Sequence, residues 1–598
     1  MQLGKSRVVA LLAVASIVAT ACSSTASPSA TSNAATSAGT SAAPQATSSG
    51  LPATDTTVYP RAETLYTSGK QWGAPSTWNP MDPNAAMGVV GLQYETLFLY
   101  DPIKDSYTPW LATGGDWDSG KTTYTIHVRQ GVTWSDGSAL TADDVAFTIN
   151  LAQNTAIGSN LFTFVDSATV SGNDVVVKFK ANPAYQEWAQ WLYNTPIVPK
   201  AVWSPLNNAD ILKNLNAGGI GTGPYTYKTA AQDRMVWVKN PNWWAIKALN
   251  LNVAPTYIVD IVNSSNNVAL GQLLSGNLDL DNNYLPGIAQ IVAGGYNVST
   301  YYAKAPYMLS GNTAWLVPNT KKKPLDDPAF RRALAEAINP DNVVTKDYGN
   351  IVAAADPSGL LPVWDKYIDH AQVKSLGATF NTDKAKADLA AAGYKLGSDG
   401  FVTNKDGSPI KLTLEVPDGW SDWMEAENLI AADAKLAGIN IEAAHPAYNT
   451  VVADRNGSAS ADPTFDLVIN NDVQIGNTPW TYYDYIFRQP IQPAASRNRN
   501  YEQYTNATAW GLVQKLDQTP VEDTATMQSI CSQLQKIQLT DEPVIPLWYN
   551  GEWSQVNNSH WTGWPSSTGN QVQPATWNGY WQMGAIFMLT GIKAVPAS

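Results

Sequence analysis

Tyr124-Thr125-Ile126-His127-Val128-Arg129-Gln130-Gly131-Val132-Thr133-Trp134-Ser135-Asp136-Gly137, running on to Leu140-Thr141-Ala142-Asp143-Asp144-Val145, decides the fold class. Thr122 to Val128 alternates polar and apolar residues, the period of a half-buried strand. Asp136-Gly137 is a turn signal. Thr141 stands as a helix N-cap with Asp144 three residues on, a variant of the capping box. A strand, a turn and a capped helix in succession predict mixed α/β organisation.

Similar punctuation continues downstream. Asn381-Thr382-Asp383-Lys384 opens a helix that Gly393 ends. Asp399-Gly400 and Asp406-Gly407 flank Phe401 to Asn404, a small hairpin. Trp420 to Leu436 reads as an amphipathic helix, followed by Gly438 and the strand Ile439-Asn440-Ile441.

The chain has 598 residues, too many for one simple core, so several domains or lobes are expected. With 23 Trp, 27 Tyr and 11 Phe it must fold to stay soluble. Asp+Glu (50) outnumber Lys+Arg (37) and there is no basic run, which argues against a nucleic-acid partner. Two Cys exclude a disulfide scaffold and a multi-Cys metal cluster. His127, His370, His445 and His560 lack metal-ligand spacing, and no Rossmann, P-loop or nucleophile-elbow motif appears. No cofactor is expected.

Residues 1–21 read as a signal peptide, with Lys5 and Arg7 before an apolar run too short to span a bilayer. Val18-Ala19-Thr20-Ala21-Cys22 resembles the lipobox of bacterial lipoproteins, with Ala19 where that pattern prefers Leu. The resemblance implies lipidation of Cys22. Plain secretion with cleavage after Ala21 is the alternative. Residues 22–58 are rich in Ser, Thr and Ala and hold no aromatic residue, Lys or Arg, so they read as a disordered tether. With lipidation, the expected location is the extracellular face of a bacterial cell membrane, lipid-anchored.

Several blocks in order carry a resemblance. Tyr94-Glu95-Thr96-Leu97-Phe98, Pro109-Trp110-Leu111-Ala112 and the opening stretch form the first. Gly221-Thr222-Gly223-Pro224-Tyr225, Asn240-Pro241-Asn242-Trp243-Trp244, Asp327-Pro328-Ala329-Phe330-Arg331-Arg332-Ala333-Leu334 and Pro543-Val544-Ile545-Pro546-Leu547-Trp548 follow. Over residues 60–595 the chain resembles the family 5 extracellular solute-binding proteins of ABC importers, the oligopeptide- and dipeptide-binding type. The resemblance implies a two-lobed, periplasmic-binding-protein-like (Venus-flytrap) α/β fold with an extra subdomain in the first lobe. Lobe I then takes 59–313 and 546–598, with the subdomain about 94–216, and lobe II takes 314–545. It also implies a monomer that works with the transmembrane subunits of an ABC permease.

Gly419-Trp420-Ser421-Asp422-Trp423-Met424 and Asn477-Thr478-Pro479-Trp480-Thr481-Tyr482-Tyr483 are similar to the cello- and manno-oligosaccharide-binding branch. The chemistry of the residues points the same way. A sugar ring packs its C–H face on an indole and needs fixed polar groups at its rim. Here Trp recurs beside Asn or Asp, and Trp exceeds Phe two to one. The expected ligand contacts are Trp420, Asp422, Trp423, Asn470, Asn471, Asn477, Trp480, Tyr482, Trp548, Tyr549, Asn550 and Trp553. Asn312, Trp315 and Trp78 join them, and Trp72 and Asn79, in the early loop with Trp78, are candidates for the cleft on the same grounds. Trp134, Trp188, Trp191, Trp203 and Trp237 are assigned to packing. The expected function is capture of a neutral, β-linked oligosaccharide. A peptide binder of the same family and a secreted polysaccharide hydrolase are the alternatives.

Overall fold

The computed structural model describes residues 50–69, 72–82, 84–152, 164–181, 183–457, 462–473, 475–492, 499–569 and 586–596. The signal peptide, Cys22 and most of the tether lie outside the described residues.

Three larger sheets organise the chain. The first has seven strands, in the spatial order Val298–Thr300, Gln555–Asn557, Leu280–Asp281, Thr64–Ser68, Tyr257–Ile261, Arg234–Lys239, Tyr225–Ala231. Thr64–Ser68 runs parallel to both Tyr257–Ile261 and Leu280–Asp281. The second has six, in the order Ala353–Ala354, Ile545–Gly551, Ser310–Pro318, Leu467–Asn470, Leu412–Glu415, Ile441–Ala444, and its last three are mutually parallel. The third is antiparallel: Ala112–Trp117, Thr123–Val128, Asp174–Phe179, Val165–Ser171. It falls inside the 94–216 stretch, and the helix Ala142–Leu151 packs on it.

Local signals have physical counterparts. Thr123–Val128 alternates half-buried and buried residues along its length. The Thr141 N–H donates to the Asp144 carboxylate at 2.9 Å, closing the box that starts Ala142–Leu151. Asn381 accepts from the Lys384 N–H at 2.9 Å to cap Thr382–Ala391. Lys395–Leu396 pairs with Val402–Thr403, and Gly400 turns the hairpin at φ +85°.

One carboxylate ties the first blocks together. Glu95 is buried and accepts from the indole N–H groups of Trp110 (2.9 Å), Trp243 (3.1 Å) and Trp244 (2.7 Å). Burial pushes its carboxyl up to about 7 against the pull of those three donors. Two glycines explain the turn at 221–225. A Cβ on Gly221 or Gly223 would run into the backbone carbonyl of Gln93 or Leu92.

Ser310–Pro318 and Ile545–Gly551 lie in the second sheet along their whole length. The chain therefore changes sheets between Thr300 and Ser310 and between Gly551 and Gln555, a few residues outside the boundaries drawn from sequence. Attachment to the body also begins earlier than Tyr59. The Pro52 carbonyl accepts from the Gln232 N–H at 2.9 Å, and the Thr54 hydroxyl donates to Asp233 at 2.6 Å. Composition does not reveal such backbone anchoring.

Candidate binding site

A cavity of about 150 Å³ opens where elements of the two main sheets meet. Its walls come from the carboxyl ends of parallel strands, where open α/β sheets place ligands. Gly69 and Trp72 follow Thr64–Ser68. Asn266 begins the helix Asn266–Leu274 after Tyr257–Ile261, and Asn282, Asn283 and Tyr284 follow Leu280–Asp281. From the second sheet come Trp420, Asp422 and Trp423 after Leu412–Glu415, and Asn471 and Asp472 after Leu467–Asn470. Asn312, Asn550 and Trp553 complete it.

Trp420 stands at the centre of an aromatic cluster. Its ring lies 4.9 Å from Trp72, 4.7 Å from Trp423 and 5.9 Å from Tyr448, centroid to centroid. Trp553 packs at 5.3 Å from Tyr284 and 6.0 Å from Tyr348, nearly parallel to the latter at 9°. The wall is thus apolar surface with amides set into it.

The two acids of the lining are already engaged. Asp422 accepts from Asn266 Nδ2 at 3.1 Å and from the Tyr348 hydroxyl at 3.0 Å. Burial raises its carboxyl to about 6 against those bonds. Asp472 accepts from Arg455 at 3.0 Å and from the Tyr485 hydroxyl at 2.8 Å. Among the described lining residues there is no Lys or Arg. The amide oxygens of Asn266, Asn283 and Asn312 and the indole N–H of Trp420 are buried without hydrogen-bond partners.

Of the residues singled out from sequence, Trp72, Asn312, Trp420, Asp422, Trp423, Asn471, Asn550 and Trp553 come together on this cavity. The others are set elsewhere, for reasons of strand parity and packing. Trp315 lies an odd number of residues from Asn312 on one strand. It is buried and meets Tyr482 edge-on at 5.8 Å, and Tyr482 is buried with it. Asn470 is turned away from Asn471, and its amide oxygen accepts from Arg455 at 2.8 Å. Trp548 is a fully buried support whose N–H reaches the Asn550 amide oxygen at 3.4 Å. Tyr549 faces the other side of its strand and donates to the Leu360 carbonyl at 2.9 Å. Asn477 accepts from the Tyr193 hydroxyl at 3.3 Å. Trp480 lines a separate cavity beside Glu187 and Arg488. Trp78 is core, 5.1 Å from the Tyr227 ring.

Sequence reasoning missed Asn266, Asn282, Asn283 and Tyr284. A signal existed. Asn-Asn doublets at 266–267, 282–283 and 470–471 lie at or beyond the end of a short strand and send one or both members to the cavity, whereas the doublets at 207–208 and 557–558 do not.

Comparison with known proteins identifies the group. Residues 106–492 match the bacterial extracellular solute-binding proteins, family 5 (middle region). The chain belongs to this family. The family 5 chain is 40% identical to an oligopeptide ABC transporter, periplasmic oligopeptide-binding protein of Thermotoga maritima, solved with mannohexaose bound. That match covers 90% of this chain and 99% of the other, with a TM-score of 0.85. It is 24% identical to a putative ABC transporter peptide-binding protein of Brucella melitensis, over 85% of this chain and 92% of the relative. It is 26% identical to a probable ABC transporter-binding protein of Deinococcus radiodurans, over 59% of this chain and 64% of the relative. The fold is thus the two-lobed periplasmic-binding-protein type, and the relatives are solute-binding proteins of ABC transporters. Among the described residues no helix is long and apolar enough to cross a membrane, and no group of three or more His, Cys, Asp or Glu is placed to hold a metal ion.

Proposed function

We propose that this family 5 chain captures a neutral oligosaccharide, of cello- or manno-oligosaccharide type, and delivers it to an ABC permease. The observation that carries this reading is the lining. It combines Trp420 and the two indoles against it, Trp72 and Trp423, with six asparagines, and its two acids are engaged with neighbours. Indoles offer flat apolar faces for sugar C–H groups, and the unpartnered amide oxygens offer acceptors for hydroxyls. The mannohexaose held by the Thermotoga maritima relative supports the same choice.

A peptide ligand is favoured by the naming of the Brucella melitensis relative. A peptide brings a charged amine and a charged carboxylate. Here the carboxylate would find no Lys or Arg among the described lining residues.

Ligand contacts with elements of both sheets give binding the means to drive closure, because only differential contact shifts a two-state equilibrium. Lipidation of Cys22 would hold the protein at the membrane. Cys22→Ser is then expected to move it from the membrane fraction to the medium, and unchanged fractionation would remove the anchor. Tryptophan emission tests the ligand class. Mannohexaose or cellohexaose should shift it saturably, and Trp420→Ala should weaken that binding at least tenfold, as expected for a buried aromatic anchor. No shift with either sugar, together with a saturable shift from a peptide, would overturn the reading.

A further inference from the structure

Asn266 occupies an unusual position. It begins the helix Asn266–Leu274, on the side of the first sheet, and is almost wholly buried. Its Nδ2 reaches across to the start of the helix Ser421–Leu436, on the side of the second sheet. There it donates to Ser421 Oγ at 3.2 Å and to Asp422 Oδ1 at 3.1 Å. Its backbone N–H points the same way, to the Gly419 carbonyl at 3.3 Å.

The other end of the same amide does something different. Asn266 Oδ1 is buried and has no hydrogen-bond partner, and the residue lines the cavity. A buried acceptor left unpaired is destabilising, and a donor from a ligand would relieve it. Gly419 sets how closely the two sides approach. It sits at φ +86°, and a Cβ there would lie 2.9 Å from the Ser264 carbonyl oxygen. Only a residue without a side chain lets the 417–422 turn sit against 263–266 in this way.

We propose that Asn266 is a positioning residue that couples ligand to closure: one end of its amide holds the second lobe, and the other receives a ligand hydroxyl. Filling Oδ1 fixes the amide plane, and the same plane aims Nδ2 at Ser421 and Asp422. A ligand donor therefore strengthens the contact between the lobes without touching Ser421 itself. Asp422 is held from its own side by Tyr348, so the receiving carboxylate is fixed in advance. The inference rests on the oligosaccharide reading for the chemistry of the donor, although a peptide N–H would engage the same acceptor.

The test uses two variants of the full chain, two readouts and named probes. Affinity for mannohexaose, cellohexaose and a pentapeptide is measured by calorimetry. Compaction on saturation is measured by small-angle scattering. Asn266→Ala removes both ends of the amide. Gly419→Asn keeps a residue tolerant of positive φ but obstructs the approach, and it alters no lining residue of the cavity.

Coupling predicts that Asn266→Ala weakens binding at least tenfold and also reduces the compaction reached at saturation. Gly419→Asn should lose compaction likewise and weaken binding through that loss alone. If Asn266→Ala weakens binding but compacts fully at saturation, Asn266 is a ligand contact only and the coupling is wrong. Affinity within twofold and unchanged compaction would also overturn it. If the wild type binds the pentapeptide and neither sugar, the oligosaccharide reading fails, and the same two variants judge the coupling with that peptide. Wild-type protein that binds none of the three overturns both.

Discussion

At the scale of single residues, the site is governed by which polar atoms are already satisfied. Asp422 looks in the sequence like a ligand carboxylate beside two tryptophans. In the fold both its oxygens accept hydrogen bonds, from Asn266 and Tyr348. Its role is therefore to order neighbours more than to pair with a cation. Asp422→Asn, which keeps the shape and removes the charge, is expected to weaken sugar binding by less than about tenfold. A charge-assisted contact to a ligand amine would be worth about 1.5–3 kcal/mol, and losing it should cost at least tenfold. Affinity of this variant for sugar and peptide, measured side by side, separates the two. The same scale shows what the sequence withheld. Trp420 and Trp423 were legible because Trp beside Asp is uncommon chemistry for a core. Trp78, Trp315 and Trp548 carry identical side chains and are buried. Strand parity turns Trp315 inward, where one residue of offset would reverse it, while Trp78 sits in a loop packed into the core, so residue type alone does not tell these fates apart.

At the scale of elements, the blocks that reveal the family are structural. Tyr94 to Phe98, Pro109 to Ala112 and Asn240 to Trp244 meet at Glu95, where three indole N–H groups share one carboxylate. Glu95→Ala would leave three buried donors unpaired. At about 1–3 kcal/mol for each, the loss should reach several kcal/mol. The expected result is a much lower urea midpoint, with ligand affinity of the folded fraction unchanged, since Glu95 is not in the cavity lining. An unchanged midpoint would remove Glu95 as an organising centre. Strands and caps near these blocks were legible because their signals are local: alternation in Thr123–Val128, the Thr141–Asp144 box, and Asn381 as a cap. The two sheet changes were displaced by several residues. Strand pairing between Ser310–Pro318 and Ile545–Gly551 is long-range, and no local pattern marks its ends.

At the scale of the whole molecule, net charge −13 coexists with many buried carboxyls. Burial raises Glu95 and Asp281 to about 7, Asp422 to about 6, and Glu427 and Glu542 to about 8. An unfolded chain releases these protons near pH 4. Between those values the folded state binds more protons, so stability falls as pH rises. The contribution is complete below about pH 4 and is lost progressively up to about pH 8. His127, raised by Asp174 and Asp116, acts in the same direction, while His560, lowered by burial, opposes it weakly. The thermal midpoint should therefore be higher at pH 5.5 than at pH 8. A lower midpoint at pH 5.5 would mean that these carboxyls are ionised in the folded protein.

A lining of indoles and asparagines, with both acids engaged and no Lys or Arg among its described residues, suits a neutral ligand. Calorimetric titration of the full chain with mannohexaose, cellohexaose, a tripeptide and a pentapeptide, at low and at high salt, addresses that neutrality most directly. The account predicts micromolar or tighter binding of one sugar series, unchanged by salt because no unpaired charge takes part. Salt-sensitive binding of a peptide, with no heat from either sugar, would contradict it.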